Sequence, residues 1–513
     1  MRLLDEKNTI PLRRNIVLTY RVIGVGLLVI MTVVMIAYSS AQSFWVDELY
    51  WTIGKVANKN FVEITTQLLK EGYNMPLYYY VLAIIYPLVP YGEGYLLSLS
   101  IAAIVIGILF LYFASKKIGG ETLAFITLCT ACLSSILMIQ GGWEVRPYAF
   151  YFCFSALTMW IYFSRIQNEN KKNILLLGVS MILLIYSHLF GVVLVAFYGI
   201  GDLFLLIIRK IKINCIISYL MAAGAALMWF IPMRSMLETN PRVYWVGAPR
   251  FRAPIKTIQW LLSNNVFLWI VFLLALVVGF LYYFHVIRTK KWDIKWFLWL
   301  QTLLCIGWVI GLAFFYSRWI NPNGSVYLER YFFSLVPHAL LIVAFGLLGI
   351  YNILKNGGMI SPKLGAGFLA VFFLMIGVIN YQSAISTITS IFEPYREVAE
   401  YLTQTGYAYE DRTLIAIDSA NASVLEYYYS KRGYDLPDYV EILYGDFLLI
   451  AKNGAYVFKK FTVQDIMEYD KVYYARIRPD NRKDAHFLEF MNENYVKTWE
   501  DERISLTLYK IKE

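Results

Sequence analysis

Charge is scarce in this chain. Asp, Glu, Lys and Arg make up 16% of its 513 residues, while apolar and aromatic types make up 59%. No soluble domain can hide that much apolar surface, so the composition points to a protein that crosses a bilayer many times. Cysteine and histidine are also sparse. Cys129, Cys132, Cys153, Cys215 and Cys305 fall in or at the ends of apolar runs, and His188, His285, His338 and His486 are widely scattered. This excludes a disulfide framework and a zinc cluster. "CTAC" at 129–132 has redox spacing, but inside a greasy segment it reads as buried thiols. Neither a Gly-rich nucleotide loop nor an internal repeat is evident, which argues against a transporter of two inverted halves.

What the chain does have is a series of apolar runs of about 20 residues, each long enough to cross a membrane as a helix. Spans are expected near 16–38, 94–115, 121–140, 147–164, 173–188, 189–208, 213–237, 265–287, 296–316, 331–353 and 364–388, about eleven in all. The stretch 77–89, "LYYYVLAIIYPLV", is too short to cross and is expected as a helix lying on the surface. With this layout the segments between spans on one face hold 18 Lys/Arg, against 10 on the other. The basic face is expected to be cytoplasmic. That puts the amino terminus inside, and the loops 39–93, 141–147, 238–264 and 317–330 outside.

Net charge is +10, yet from residue 391 onward 16 Lys/Arg face 22 Asp/Glu. A basic membrane part with an acidic tail is not a nucleic-acid footprint. The expected division is a transmembrane domain, 1–390, and a small extracytoplasmic α/β domain, 391–513. In the latter, "YREVAEYLTQTG" (395–406) reads as a helix closed by Gly406, and "LIAIDS" (414–419) and "KVYYARI" (471–477) read as strands.

Polar residues at the outer ends of spans are the informative ones. Asp47 and Glu48 lie in "SFWVDELYW" (43–51). From Trp45 the residues Leu49, Tyr50, Ile53, Val56, Ala57, Phe61 and Ile64 recur at helical spacing, which suggests an amphipathic helix. Acids also favour a first helical turn, with Ser43 or Asp47 as cap. Glu144 and Arg146 precede the span opened by Pro147 in "GGWEVRPYAF", His188 sits in the turn "YSHLFG", and Glu329 and Arg330 open "YLERYFFSLVPH". Each group alone has an ordinary explanation: a local ion pair, a structural histidine, snorkelling to headgroups. Together they place a carboxylate and two bidentate phosphate donors at one face of the bilayer, a set suited to chemistry on a membrane-embedded lipid phosphate. The loop 238–264 adds Arg242, Arg250 and Arg252 among Pro and aromatics, and is expected as a lid, an anionic-acceptor contact or a headgroup contact.

The ordered set resembles GT-C glycosyltransferases of the type that includes protein O-mannosyltransferases, the bacterial aminoarabinose transferase and their bacterial relatives. It comprises the acidic pair, "NMPLYYY" (74–80), "EVRPYA" (144–149), "YSHLFG" (186–191), "RYFFSLVP" (330–337) and "PYREVAEYL" (394–402). The resemblance implies a polytopic α-helical membrane enzyme of the GT-C type, with amphipathic juxtamembrane helices and a small outer domain. Such an enzyme moves a hexose or pentose from a polyprenyl-phosphate donor to a hydroxyl of an extracytoplasmic glycan, lipid or protein. It implies Asp47 as general base, Glu48 as its support or as an acceptor contact, and Arg146, Arg330, His188 and Tyr148 around the donor phosphate. Glu144, Tyr78 and Glu329 are further substrate contacts, and Trp45, Trp51 and Tyr78 could stack on sugar faces. Where many relatives carry His-Pro-Pro or Lys-Pro-Pro, this chain has Asn74-Met75-Pro76, so a divalent metal is allowed but not demanded. The implied setting is the inner membrane of a bacterium. The rivals are a transporter or flippase of lipid-linked saccharides and a non-catalytic scaffold; loss of sugar transfer in Asp47→Asn would separate both from an enzyme.

Overall fold

The computed structural model describes residues 14–49, 51–89, 92–236, 246–289, 294–356, 361–390, 393–406, 409–417, 422–443, 446–452, 455–476, 485–503 and 505–512. The chain forms two compact units. One comprises Met1–Ala37, Lys59–Pro87 and Leu97–Thr387; the other comprises Tyr38–Asn58, Leu88–Leu96 and Ile388–Glu513.

The first unit is helical. Among the described residues, seven helices are long and apolar enough to cross a membrane: Ile16–Ala37, Glu93–Cys132, Tyr148–Gln167, Ile213–Met236, Ile294–Ile320, Glu329–Lys355 and Leu364–Thr389. Val266–Leu281 forms a bent pair with Ala253–Leu261, the two meeting at 106°. The helices Pro76–Ile85, Lys171–Ser187 and Gly191–Ile207 are shorter. The runs expected at 94–115 and 121–140 merge into Glu93–Cys132, broken at Gly119–Gly120, where Gly120 has φ +69°. That backbone conformation is open to glycine at little cost.

The helix after this break stops at Cys132, earlier than the expected 140. Its last carbonyls are met from another helix: Tyr381 Oη donates to Cys132 O at 3.0 Å and Asn380 Nδ2 to Leu133 O at 2.7 Å. Asn380 Oδ1 accepts from Asn265 Nδ2 at 2.8 Å, and Ser263 Oγ lies 3.0 Å from Ser134 Oγ. Irregular backbone among membrane helices is tolerated where protein groups satisfy it, which these do. The chain then makes one wide π-helical turn, Leu137–Gly142. Gly141 and Gly142 allow close packing there: a Cβ on the first would meet Ile104 Cδ1 at 2.5 Å and one on the second would crowd Met35 Sδ, so those side-chain ends would have to shift.

Arg165 and Asp202 are fully buried and ion-paired, and Tyr219 Oη donates to the same Asp202 oxygen at 2.8 Å. This polar knot ties together Tyr148–Gln167, Gly191–Ile207 and Ile216–Met236.

In the second unit, a seven-stranded sheet runs in the order β4-β3-β2-β1-β5-β7-β6. The strands are β1 (Thr413–Ile417), β2 (Tyr439–Leu443), β3 (Asp446–Lys452), β4 (Ala455–Phe461), β5 (Lys471–Ala475), β6 (Tyr495–Asp501) and β7 (Leu506–Ile511). β1 pairs in parallel with β2 and β5, and the remaining pairs are antiparallel. All five residues of central β1 are buried, as befits a strand covered on both faces. Leu414 and Ala416 share a core with Val440, Val472, Phe487 and Met491. The helix Tyr395–Thr405 ends at Gly406, which is left-handed at φ +65°. Both expected strands are present; residues 418–419 and 477 lie outside the described residues.

Candidate active site

The residues expected around a donor phosphate lie in the first unit, at the ends of helices. Pro147 opens the helix Tyr148–Gln167, so Arg146 and Tyr148 stand at its first turn, and Arg146 Nη2 lies 3.4 Å from Tyr148 Oη. The Arg146 guanidinium sits over the Tyr148 ring at 5.6 Å, within cation–π range. His188 follows the helix Lys171–Ser187, in the turn before Gly191–Ile207. Arg330 is the second residue of a 3-10 turn, Glu329–Leu335, that leads into the helix Val336–Asn356. Pro337 explains the tighter winding: it has no N–H to return to the carbonyl of Phe333 and crowds it sterically.

These three elements converge on one imidazole. The His188 ring stacks on Tyr151 at 4.7 Å and 21°, with Tyr331 at 5.3 Å, Phe190 at 6.0 Å and Tyr148 at 6.1 Å. Burial, and then the positive charges of Arg146 and Arg330, lower its pKa from the ordinary imidazole value to about 3. His188 is therefore neutral at physiological pH. Its Nδ1 accepts the Phe190 N–H at 3.3 Å, which puts the ring proton on Nε2 as a donor. Arg146, His188, Arg330 and Tyr331 all keep part of their surface open. Two guanidiniums and an imidazole N–H beside these aromatic rings can hold a phosphate monoanion or dianion without protonating it.

Glu144 accepts from Gln140 Nε2 through its side chain, and from Ser100 Oγ through its backbone carbonyl at 2.7 Å. Tyr78 is fully buried, edge-on to Phe150 at 5.2 Å; its neighbour Tyr79 lies within electrostatic reach of Arg146, Glu71 and Tyr148. Glu329 starts the 3-10 turn and is half-buried. Tyr151, Tyr331 and Phe190 are absent from the sequence-based set. Two of them left a signal: Tyr151 is three residues beyond Tyr148 on one helix and so on a neighbouring surface, and Tyr331 adjoins Arg330. Among the described residues no group of three or more His, Cys, Asp or Glu is placed to hold a metal ion.

Asp47 and Glu48 belong to the second unit, and the structure corrects the expected helix around them. Instead of one continuous helix there is a four-residue helix, Val46–Leu49, then a 3-10 turn, Ile53–Lys55. Asn58 follows at φ +56°, which stops propagation. The helix Phe61–Glu71 then starts afresh in the first unit, with Asn60 as cap and Glu63 completing a capping box. Both acids fall in the first turn of the short helix, as expected. Glu48, 4% exposed, reaches back to accept the Trp45 N–H at 3.2 Å. Asp47 is half-buried one position earlier. The paired acids are thus not equivalent: Glu48 shapes the loop and Asp47 keeps accessible surface. Lys55 Nζ lies 5.1 Å above the Trp51 ring, a cation on one face of a residue expected to stack on sugar.

The loop is anchored by the C-terminal part of its own unit. Tyr428 Oη accepts the Phe44 N–H at 2.7 Å and donates to Glu93 Oε1 at 2.9 Å. Arg396 Nη1 contacts that Glu93 oxygen at 3.1 Å and the Ser40 carbonyl at 3.1 Å. Gln42 Nε2 donates to Ser390 O at 2.7 Å, and Ser43 Oγ donates to Glu393 O.

No family model and no curated protein matches the sequence. Solved structures do. ArnT from Cupriavidus metallidurans, bound to undecaprenyl phosphate, superposes with a TM-score of 0.54 at 9% identity, over 94% of this chain and 97% of that one. The Archaeoglobus fulgidus oligosaccharyltransferase, in a complex with Zn and sulfate, gives 0.43 at 11% identity, over 81% of this chain and 68% of that one. The arabinofuranosyltransferase AftD from Mycobacteria gives 0.46 at 9% identity; this chain is matched over 95% of its length and spans 40% of AftD. On the ArnT superposition, which runs almost end to end in both chains, this protein has the fold of the GT-C glycosyltransferase superfamily.

Proposed function

We propose that the protein is a membrane glycosyltransferase that moves a monosaccharide from a polyprenyl-phosphate donor to a hydroxyl of an acceptor outside the cytoplasm. The observation that carries this reading is the grouping of Arg146, Arg330 and His188 at the helix ends, with the His188 ring set among Tyr151 and Tyr331. ArnT, which shares the fold, was solved with undecaprenyl phosphate, a lipid of the proposed donor class.

In the proposed reaction the acceptor oxygen attacks the anomeric carbon, the bond from that carbon to the phosphate oxygen breaks, and the lipid phosphate departs with the electron pair. Arg146 and Arg330 stabilise the charge that develops on the leaving phosphate, and His188 donates through Nε2. Asp47 takes the hydroxyl proton, a role worth typically ~10²–10⁴-fold. Glu48 supports Asp47 by fixing the loop, which its bond to Trp45 favours over an acceptor contact. Glu144, Glu329 and Tyr78 serve as further substrate contacts in this reading. The proposed orientation places the amino terminus in the cytoplasm and the C-terminal domain outside, in the inner membrane of a bacterium. Mass spectrometry of envelope glycans, lipids and glycoproteins from a deletion strain tests the reading. A sugar missing from one acceptor and restored by wild type, but not by Asp47→Asn, supports it. An unchanged envelope overturns it.

A further inference from the structure

One face of the first unit combines cations, aromatic rings and a crosswise helix in a way the proposed reaction does not use. The helix Ala253–Leu261 meets Val266–Leu281 at 106°. If the latter crosses the bilayer, the former runs along its plane. Thr257 and Leu261 are buried against the protein, while Ile255 is 53% exposed and Phe251, just before the helix, is 68% exposed. Arg250, Arg252 and Lys256 are exposed on the same short segment.

A second strand of chain completes the patch. The helix Ile294–Ile320 ends in a π turn, Tyr316–Ile320, whose Arg318 lies 4.9 Å over the Phe251 ring. Phe314 and Trp319 meet at 5.4 Å, and Phe251 lies 6.2 and 6.3 Å from them. Trp319 is 55% exposed. The segments 246–262 and 314–328 hold four cations and no Asp or Glu. Tryptophan and phenylalanine beside Lys and Arg, at the end of an apolar span, are the chemistry of the headgroup layer. The positive charge of these four side chains favours anionic over zwitterionic headgroups. Arg242, expected to share this loop, lies outside the described residues.

We propose that Arg250, Arg252, Lys256 and Arg318, framed by Phe251 and Trp319, form a binding site for anionic phospholipid headgroups. This inference stands apart from the glycosyl-transfer reading and does not need it.

The test is native mass spectrometry of the full-length protein in detergent, titrated with dioleoyl-phosphatidylglycerol or dioleoyl-phosphatidylcholine. Wild type should bind the anionic lipid at least about tenfold more tightly, and the preference should shrink as salt rises. Arg250→Gln/Arg252→Gln/Lys256→Gln should lose about fivefold per cation removed. Arg250→Lys/Arg252→Lys should keep the preference, as should Lys171→Gln/Lys172→Gln/Lys210→Gln. The proposal is overturned by equal binding of the two lipids to wild type, or by an unchanged preference in the Gln variant. It is also overturned by equal losses in the two triple variants. Full competition by glycerol 3-phosphate would instead assign the site to a soluble phosphate and overturn the lipid proposal. Should the Gln variant not fold, a wild-type preference that is independent of salt is itself the overturning result.

Discussion

Tyr428→Phe removes one oxygen atom from the anchor of the Asp47 loop, and its effect can be worked out from the contacts. The hydroxyl is fully buried, accepts from the Phe44 N–H at 2.7 Å and donates to Glu93 at 2.9 Å. Without it, a buried N–H loses its acceptor, at a cost of about 1–3 kcal/mol, and a hydrogen bond to a carboxylate worth about 1.5–3 kcal/mol is gone. Arg396 remains 3.1 Å from Glu93 and offsets part of the second loss. A net effect of about 3 kcal/mol on local opening corresponds to roughly a hundredfold faster amide exchange. Hydrogen–deuterium exchange on the full-length protein reads this without any substrate. The peptide covering 44–49 should exchange about a hundredfold faster, while β1 keeps its protection. Tyr409→Phe, which removes a more exposed phenol bonded to Asp435 O at 2.9 Å, should leave 44–49 unchanged. Unaltered exchange at 44–49, or equal acceleration in β1, would refute local anchoring by Tyr428. Burial and the adjacent Glu93 hold the Tyr428 phenol well above its ordinary pKa, so the donor persists across the whole neutral range.

Other outcomes follow from the same structure. Asp202→Asn leaves Arg165 buried beside a neutral partner and should cost about 3–5 kcal/mol, whereas Arg165→Met/Asp202→Leu should recover most of that. Thermal unfolding midpoints check both, and a double variant no better than the single contradicts the pairing. For His188 the sign is fixed by its lowered pKa: between pH 6.5 and about 3 the folded protein binds fewer protons at this site than an unfolded chain does. Stability should therefore fall as pH drops through that window, by at most about 2–3 kcal/mol at pH 4.5, with no His188 contribution above pH 6.5. Comparing wild type with His188→Asn at pH 7 and pH 4.5 measures it, and equal acid sensitivity in the two would contradict a buried neutral imidazole.

Much of the helical layout was legible because bilayer thickness imposes length and hydropathy on each span. The grouping of Arg146, His188 and Arg330 was legible as well: they stand at span ends, where a charge stands out against apolar surroundings. What stayed hidden depends on contacts between distant residues. The apolar spacing from Trp45 to Ile64 imitates a helix, yet Phe44 is buried with its ring 6.0 Å from that of Tyr427, some 380 residues away. Burial of that kind leaves no local period. The early stop at Cys132 was equally invisible, because the groups that satisfy the freed carbonyls are Asn380 and Tyr381 on another helix. Asp47 and Glu48 looked alike in sequence; only the backbone around Trp45 separates a loop-shaping acid from an accessible one.

The account's central claim is a chemical step, so the most direct measurement is bond cleavage in the lipid donor. Purified protein would be given undecaprenyl-phosphate monosaccharides, hexose and pentose, together with envelope acceptor extract, and the release of undecaprenyl phosphate followed beside sugar on the acceptor. The account predicts matched release and transfer by wild type, with a loss of about 10²-fold or more in Asp47→Asn while donor binding persists. Asp47→Asn working at the wild-type rate, or wild type carrying the intact donor across a vesicle membrane without breaking it, would contradict the account.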